Sequence, residues 1–265
     1  MIRALVLSVE AVLSARNPTL DSLVLVSPGA VTPHEIATDG HVRRIVDAIL
    51  EDGYVRHPIL SVAVGAQYVV LDGTHRLAAL NAIGVQRIPL QVLERHDVRF
   101  DTWANVVLHP RGCAAVLETP LGWRRGDDAA AAVRVLSSDG QSWQSSEPPT
   151  TLGERYEMIM RVLTGIEDAD EVRRSVPSLA KPDGPGSFVL GFRAWTLDDV
   201  IGLARQHKRL YSGLTRVIAI GRILNLRVPL AMLQDEQFDQ TAWAAFISAA
   251  KRRARLYDEP TVLVD

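Results

Sequence analysis

Five consecutive residues, Asp72-Gly73-Thr74-His75-Arg76, put a carboxylate, a glycine, a hydroxyl, an imidazole and a guanidinium at one junction of the chain. The apolar run Tyr68-Val-Val-Leu71 before them reads as a strand. The amphipathic stretch after them reads as a helix that stops at Gly84, a residue type suited to the left-handed cap that closes many helices. The N–H groups in the first turn of a helix lack intrahelical partners, and the helix dipole makes that end partly positive. Arg76 adds a charge with phosphate geometry and His75 an imidazole. Basic groups at a helix start are unfavourable unless an anion sits there. The spacing therefore predicts a phosphate cradle running from Gly73 to Arg76, against the plainer alternative of a solvated Asp-Gly turn.

Elements on either side must hold this turn in place. Leu20 to Ser27 alternates as a strand does, and His41 to Leu50 carries apolar residues at helical spacing up to Asp52-Gly53. Pro58 to Val64 and Arg87 to Leu93 read as the strands before and after the cradle hairpin and helix. Residues 20 to about 108 thus predict a compact α+β unit. Beyond Pro110, Ala114 to Glu118 and Ala129 to Leu136 read as strands, Asp139-Gly140 as a hairpin turn, and 145–149 as a linker. Gly153 to Thr164 reads as helix and Ser187 to Phe192 as strand. A capping box at Thr196–Asp199 opens a helix to about Gln206. Arg222 to Met232 reads as strand-like despite Pro229, Thr241 to Leu256 as helix, and Pro260 to Val264 as a last strand.

Composition bounds the possibilities. The chain has 265 residues, 47% of them hydrophobic, enough for one large or two smaller cores. With 29 basic and 31 acidic side chains the formal charge is -2, which argues against a dedicated nucleic-acid partner. The single cysteine, Cys113, excludes an internal disulfide framework and a cysteine-rich zinc site, and fits a reducing cytoplasmic setting. Ala4–Leu7 and Ala11–Leu13 are apolar but broken by Glu10. That stretch is too short and polar for a membrane span and is expected to pack on the body as a short helix or strand.

The Asp-Gly-x-His-Arg turn between strand and helix resembles the signature of the ParB/sulfiredoxin superfamily. The resemblance extends upstream through Pro33-His34-Glu35, His41-Val-Arg-Arg-Ile45 and Asp52-Gly-Tyr-Val-Arg-His-Pro-Ile59. Three activities compete there: CTP-using DNA segregation, sulfiredoxin chemistry, and phosphorylation of free serine. Sulfiredoxins carry a nucleophilic cysteine directly after the cradle glycine, where this chain has Thr74. The segregation proteins carry a Gly-Glu-Arg-Arg type box and a helix-turn-helix, neither of which is evident here. Leu210-Tyr-Ser-Gly-Leu-Thr-Arg216 through Leu224, Val228-Pro-Leu230, and the terminal Arg255–Asp265 are similar to distal motifs of the free L-serine kinases. The serine kinase branch is therefore the nearest match. It implies a ParB/sulfiredoxin-like N-terminal domain (1–110) and a smaller mixed α/β C-terminal domain (111–265) that completes the substrate site.

The resemblance also implies roles. The reaction makes O-phospho-L-serine from L-serine with ATP or ADP as donor and Mg2+ as cofactor, a product that feeds cysteine or diaminopropionate synthesis, the latter used in some siderophores. Glu35 stands where the family places its catalytic glutamate, with His34 as the fallback base. Asp72 to Arg76 would hold the nucleotide phosphates, and Asp72 either ligates magnesium or merely caps the helix. Trp103 would wall the serine pocket. Thr215 and Arg216 would serve substrate or nucleotide, Arg216 forking onto the serine carboxylate or reaching the transferred phosphate. Arg222 is expected only to pair with Asp258-Glu259. The kinases often carry a second histidine where Thr74 stands, so nucleotide preference is left open. A ParB-like nucleotide-binding regulator or DNA-associated protein without kinase activity is the alternative.

Overall fold

The structure, a computed structural model, describes residues 18–146 and 148–255. The expected N-terminal element and terminal strand lie outside the described residues. The chain is α+β and divides into two compact units, neither continuous in sequence. One contains residues 1–32, 39–94 and 219–265, the other 33–38 and 95–218. The division expected near residue 110 is a linear cut, and it runs through the interior of the second unit. Among the described residues no helix is long and apolar enough to cross a membrane.

The first unit is built on a five-stranded sheet in the order Leu23–Val26, Ile88–Val92, Ile59–Val64, Gln67–Asp72, Val31–Thr32. Ile59–Val64 and Gln67–Asp72 form a hairpin whose turn is closed by Gly65 at φ +64°. Ile59–Val64 pairs in parallel with Ile88–Val92. Parallel pairing requires a crossover, and the cradle strand plus the Thr74–Ile83 helix provide it. Ile59, Val70, Leu80, Ile88 and Leu90 are fully buried in one core. The segment after residue 219 joins the same core through Val228, Leu230 and Leu233, and through Trp243 and Phe246, whose rings stack at 5.5 Å. Each such buried aliphatic contributes about 1.5–3 kcal/mol, so this core holds the cradle strand rigidly.

The helix expected from Thr241 is present as Gln240–Arg253, opened by Asp239, whose carboxylate accepts from the Ala242 N–H at 2.9 Å. Two expectations fail. Arg222 to Met232 is not a strand: only Val228–Pro229 pairs, antiparallel with Tyr54–Val55, and Leu230–Gln234 is helical. Pro229 has no N–H to continue a ladder, and Asn225 and Arg227 take φ near +55° and +58°. Ala114 to Glu118 is likewise a helical turn, Ala114–Leu117, because Cys113 and Glu118 both hold helical backbone angles.

The second unit carries a wholly antiparallel six-stranded sheet, ordered Glu171–Ser175, Ala104–Leu108, Ser187–Phe192, Val133–Ser137, Ser142–Gln144, Arg124–Arg125. Val133, Val135 and Ser137 alternate buried with half-buried Arg134 and Leu136, the two-residue period of a sheet with one face in the core. Helices Leu152–Thr164 and Leu197–Arg205 both start with complete capping boxes, Thr151 with Glu154 and Thr196 with Asp199. Asp199 also accepts from the buried Arg155 guanidinium at 3.2 Å. That guanidinium lies 3.9 Å over the Trp195 ring. Burial, and then the charge of Arg193, pull the Arg155 pKa down to about 10. It stays cationic at neutral pH, so the buried ion pair is real.

Candidate functional site

The cradle sits at the end of the Gln67–Asp72 strand. Gly73 is the N-cap of the Thr74–Ile83 helix at φ +104°, and no side chain caps the helix. Asp72 is therefore not the capping residue. A Cβ at Gly73 would meet Ile59 Cγ1 at 3.2 Å and the Arg76 guanidinium at 3.3 Å. Glycine is needed there for both its left-handed backbone and the lack of space. Thr74 is 6% exposed, and its hydroxyl has no hydrogen-bond partner among the described residues. An unsatisfied buried hydroxyl costs free energy, and this one lies in the first turn of the helix.

The two basic residues of the cradle do different things. The Arg76 guanidinium donates to the carbonyls of His57 (3.1 Å) and Pro58 (2.6 Å) and to Asp72 (3.4 Å), so it clamps the loop before the sheet hairpin. The His75 ring lies 4.4 Å from that of His41, near the start of the Asp39–Asp52 helix. Asp72 also accepts from Arg222. The expectation that Arg222 serves only the terminal acidic residues is corrected: it brings a second guanidinium to the cradle, while residues 258–259 lie outside the described residues. Gln91 fixes the segment that carries Arg222. It is buried, donates to the Gly221 carbonyl at 2.8 Å and accepts from the Ile223 N–H at 2.9 Å.

The second unit gathers the other candidates around one turn. Residues 34–36 are bonded to Leu210 through Ile36 N–H to the Leu210 carbonyl (2.8 Å) and Leu210 N–H to the His34 carbonyl (2.9 Å). This places the Glu35 carboxylate on the 211–215 turn. Its Oε1 accepts from the Thr215 hydroxyl at 2.8 Å and the Gly213 N–H at 3.3 Å, whereas Oε2 has no partner among the described residues. Since the Thr215 proton goes to Glu35, the His34 Nε2, 3.0 Å from Thr215 Oγ, must donate to it. The Nδ1 on the other side of the ring is buried and has no partner among the described residues. His34 is 1% exposed and packs edge-on against Phe100. The side chain of Glu35 is 14% exposed, so it is the accessible one of the two proposed bases.

Trp103 and Arg216 also belong to this unit. The Arg216 guanidinium lies 5.2 Å over the Trp103 ring and 3.3 Å from the Asp101 carboxylate. Thr102 anchors the same stretch by donating to the Leu214 carbonyl at 3.1 Å. The expected residues thus collect into two groups: Asp72 to Arg76 in the first unit, and His34, Glu35, Trp103, Thr215 and Arg216 in the second. Sequence reasoning missed Arg222 at Asp72 and Gly213 at Glu35. The positive φ of Gly213 (+92°) was signalled only by its residue type.

No family model matches the chain. It is 25% identical over 261 residues to the ATP-dependent L-serine kinase SbnI of Staphylococcus aureus, spanning 94% of this chain and 99% of that one. It is 28% identical over 89 residues to an ATP-dependent L-serine kinase of Staphylothermus marinus, covering 32% of this chain and 35% of that one. In fold it is similar to the solved structure of C-terminally truncated SbnI, with TM-score 0.77, 21% identity, and coverage of 90% of this chain and 100% of that one. It is also similar to a free serine kinase bound to AMP, an E30A mutant in that protein's own numbering, with TM-score 0.63 and 19% identity over 80% of this chain and 93% of that one. Over 94% of its length, the chain is thus similar in sequence to an ATP-dependent L-serine kinase.

Proposed function

We propose that this protein transfers a phosphoryl group from ATP or ADP to the hydroxyl of free L-serine, releasing O-phospho-L-serine. The observation that carries this reading is the likeness to an L-serine kinase along 94% of the chain. The site chemistry supports it. Phosphoryl transfer needs a held and neutralised polyphosphate, a divalent cation, and a group that orients or deprotonates the acceptor.

The cradle takes the first task. The backbone N–H groups at the start of the Thr74–Ile83 helix and the Thr74 hydroxyl bind phosphate oxygens, and His75, Arg76 and Arg222 oppose their charge. Among the described residues no three His, Cys, Asp or Glu side chains converge, so no protein-only metal cage is present there. Magnesium does not need one, because it commonly takes one or two carboxylates and completes its shell with phosphates and water. Asp72, a hard oxygen ligand 36% exposed beside the cradle, fits that requirement. The bound ion would neutralise charge on the transferring phosphate.

Glu35 takes the third task. Its Oε2 accepts the serine hydroxyl proton while Thr215 and Gly213 hold Oε1, so the carboxylate is oriented before substrate arrives. The hydroxyl oxygen then attacks the terminal phosphorus, and the nucleotide leaves with the bridging oxygen. His34 supports Thr215 as the donor behind it. Trp103 walls the acceptor pocket, and Arg216, held by Asp101 and that ring, borders it.

The test is direct. The purified protein is incubated with magnesium, L-serine and either nucleotide, and phosphoserine is followed by mass spectrometry. Product with ATP, ADP or both is expected. Its absence with both, at high enzyme concentration, overturns the reading.

A further inference from the structure

Free serine presents a carboxylate as well as a hydroxyl, and the roles above leave that carboxylate without a dedicated partner. Arg216 is a poor candidate because its charge is already matched by Asp101 at 3.3 Å. Arg174 is different. It lies exposed on the edge strand Glu171–Ser175, and its hydrogen-bond partner among the described residues is a neutral group, the Ser212 hydroxyl, at 3.3 Å. Its neighbour Arg173, by contrast, is paired with Glu171 and Asp183.

The position of Arg174 is the second observation. Its guanidinium lies on the bare Cα of Gly213, and a Cβ there would overlap it. The N–H of the same glycine donates to the Glu35 carboxylate at 3.3 Å. One residue therefore touches both the carboxylate that takes the hydroxyl proton and a guanidinium without a counter-charge. In serine the hydroxyl oxygen and the carboxyl carbon are about 3–4 Å apart, as C–C bonds of roughly 1.5 Å dictate. A base and a cation that each bond one end of the molecule must therefore lie about 8–10 Å apart, once a hydrogen bond of about 2.7–3 Å is added at each end, and both border the same turn residue, Gly213.

We propose that Arg174 is a specificity-determining residue of the acceptor site that binds the carboxylate of free L-serine and so presents the hydroxyl to Glu35, an inference that rests on the serine kinase reading. A guanidinium fork pairs with a carboxylate through two parallel N–H bonds. It selects the free amino acid over an amino alcohol or a seryl residue within a peptide, in which no carboxylate stands at that position.

The test compares the wild-type protein, Arg174→Ala and Arg174→Lys on L-serine and on L-serinamide, which keeps the hydroxyl and loses the negative charge. Melting temperatures confirm that all three are folded. Arg174→Ala should raise KM for L-serine about 10- to 100-fold, the range for losing hydrogen bonds to a charged group. It should change kcat little, leave L-serinamide turnover as in the wild type, and so collapse the preference between the two. Arg174→Lys should recover part of the loss. An unchanged KM for serine overturns the proposal, as does an equal loss on both substrates, which would make Arg174 a support of the turn. A wild-type protein that makes no phosphoserine fails the kinase reading itself, a separate outcome.

Discussion

The cradle and the acceptor turn are built in opposite ways. The cradle is five adjacent residues resting on one left-handed glycine, and it holds a buried hydroxyl without a partner. The acceptor turn is assembled from segments more than 170 residues apart, and Glu35 Oε1 already accepts two hydrogen bonds within it. On the proposed reading the first is completed by a phosphate ligand, which the unpartnered Thr74 hydroxyl would contact. The second is complete beforehand, because its donors are aimed at a carboxylate that must keep its orientation. Binding energy should therefore depend on the cradle and rate on the acceptor turn.

The largest effect that would sharpen this comparison is expected at Glu35. Glu35→Gln keeps the shape and the hydrogen bonds to Oε1 but removes the base, so kcat should fall by about 10²-fold or more, with nucleotide Kd near that of the wild type by calorimetry. An equal loss of nucleotide binding would break the proposed division of labour. Next comes Gly73→Ala. Forcing a side chain to φ +104° against Ile59 and Arg76 should cost about 1–2 kcal/mol of stability, read from thermal melts. It should also raise KM for nucleotide more than it lowers kcat.

Thr215→Val is a smaller change of nearly equal volume. It removes the hydroxyl between His34 and Glu35, and kcat should drop about 10-fold, as for loss of one hydrogen bond to a charged group. An unchanged kcat would show that Gly213 alone suffices to orient Glu35. The smallest effect on the folded protein is expected for Thr74→Val. With the unpartnered hydroxyl gone, the ligand-free protein should melt no lower than wild type, yet nucleotide affinity should weaken by about five- to tenfold. Lower stability without a change in affinity would give that hydroxyl a structural role instead.

The same contrast explains what was legible in the sequence. The cradle could be read because its chemistry is local: strand, glycine, basic turn, helix and Gly84 follow one another, and the structure reproduces each, with Gly84 at φ +79°. Pairings across long gaps could not be read from spacing. Arg222 reaching Asp72, Arg174 covering Gly213 and Thr215 holding Glu35 depend on chain reversals that no local pattern encodes. The failures at 114–118 and 222–232 have a related cause. Short apolar runs fit a strand or a helical turn equally well, and the choice was made by Pro229, by left-handed Asn225 and Arg227, and by packing. The discontinuity of the two units was hidden for the same reason, since residues 219–255 join a core whose sheet is encoded far upstream.

The central claim is that phosphate passes to the hydroxyl of free serine. Phosphorus NMR of a reaction containing the wild-type protein, magnesium, ATP and L-serine tests it most directly. The account predicts that the terminal phosphate signal of ATP declines while a phosphomonoester signal, coupled to the serine methylene protons, grows in equal amount. Decay of ATP to inorganic phosphate alone, or no change at all at high enzyme concentration, would contradict it.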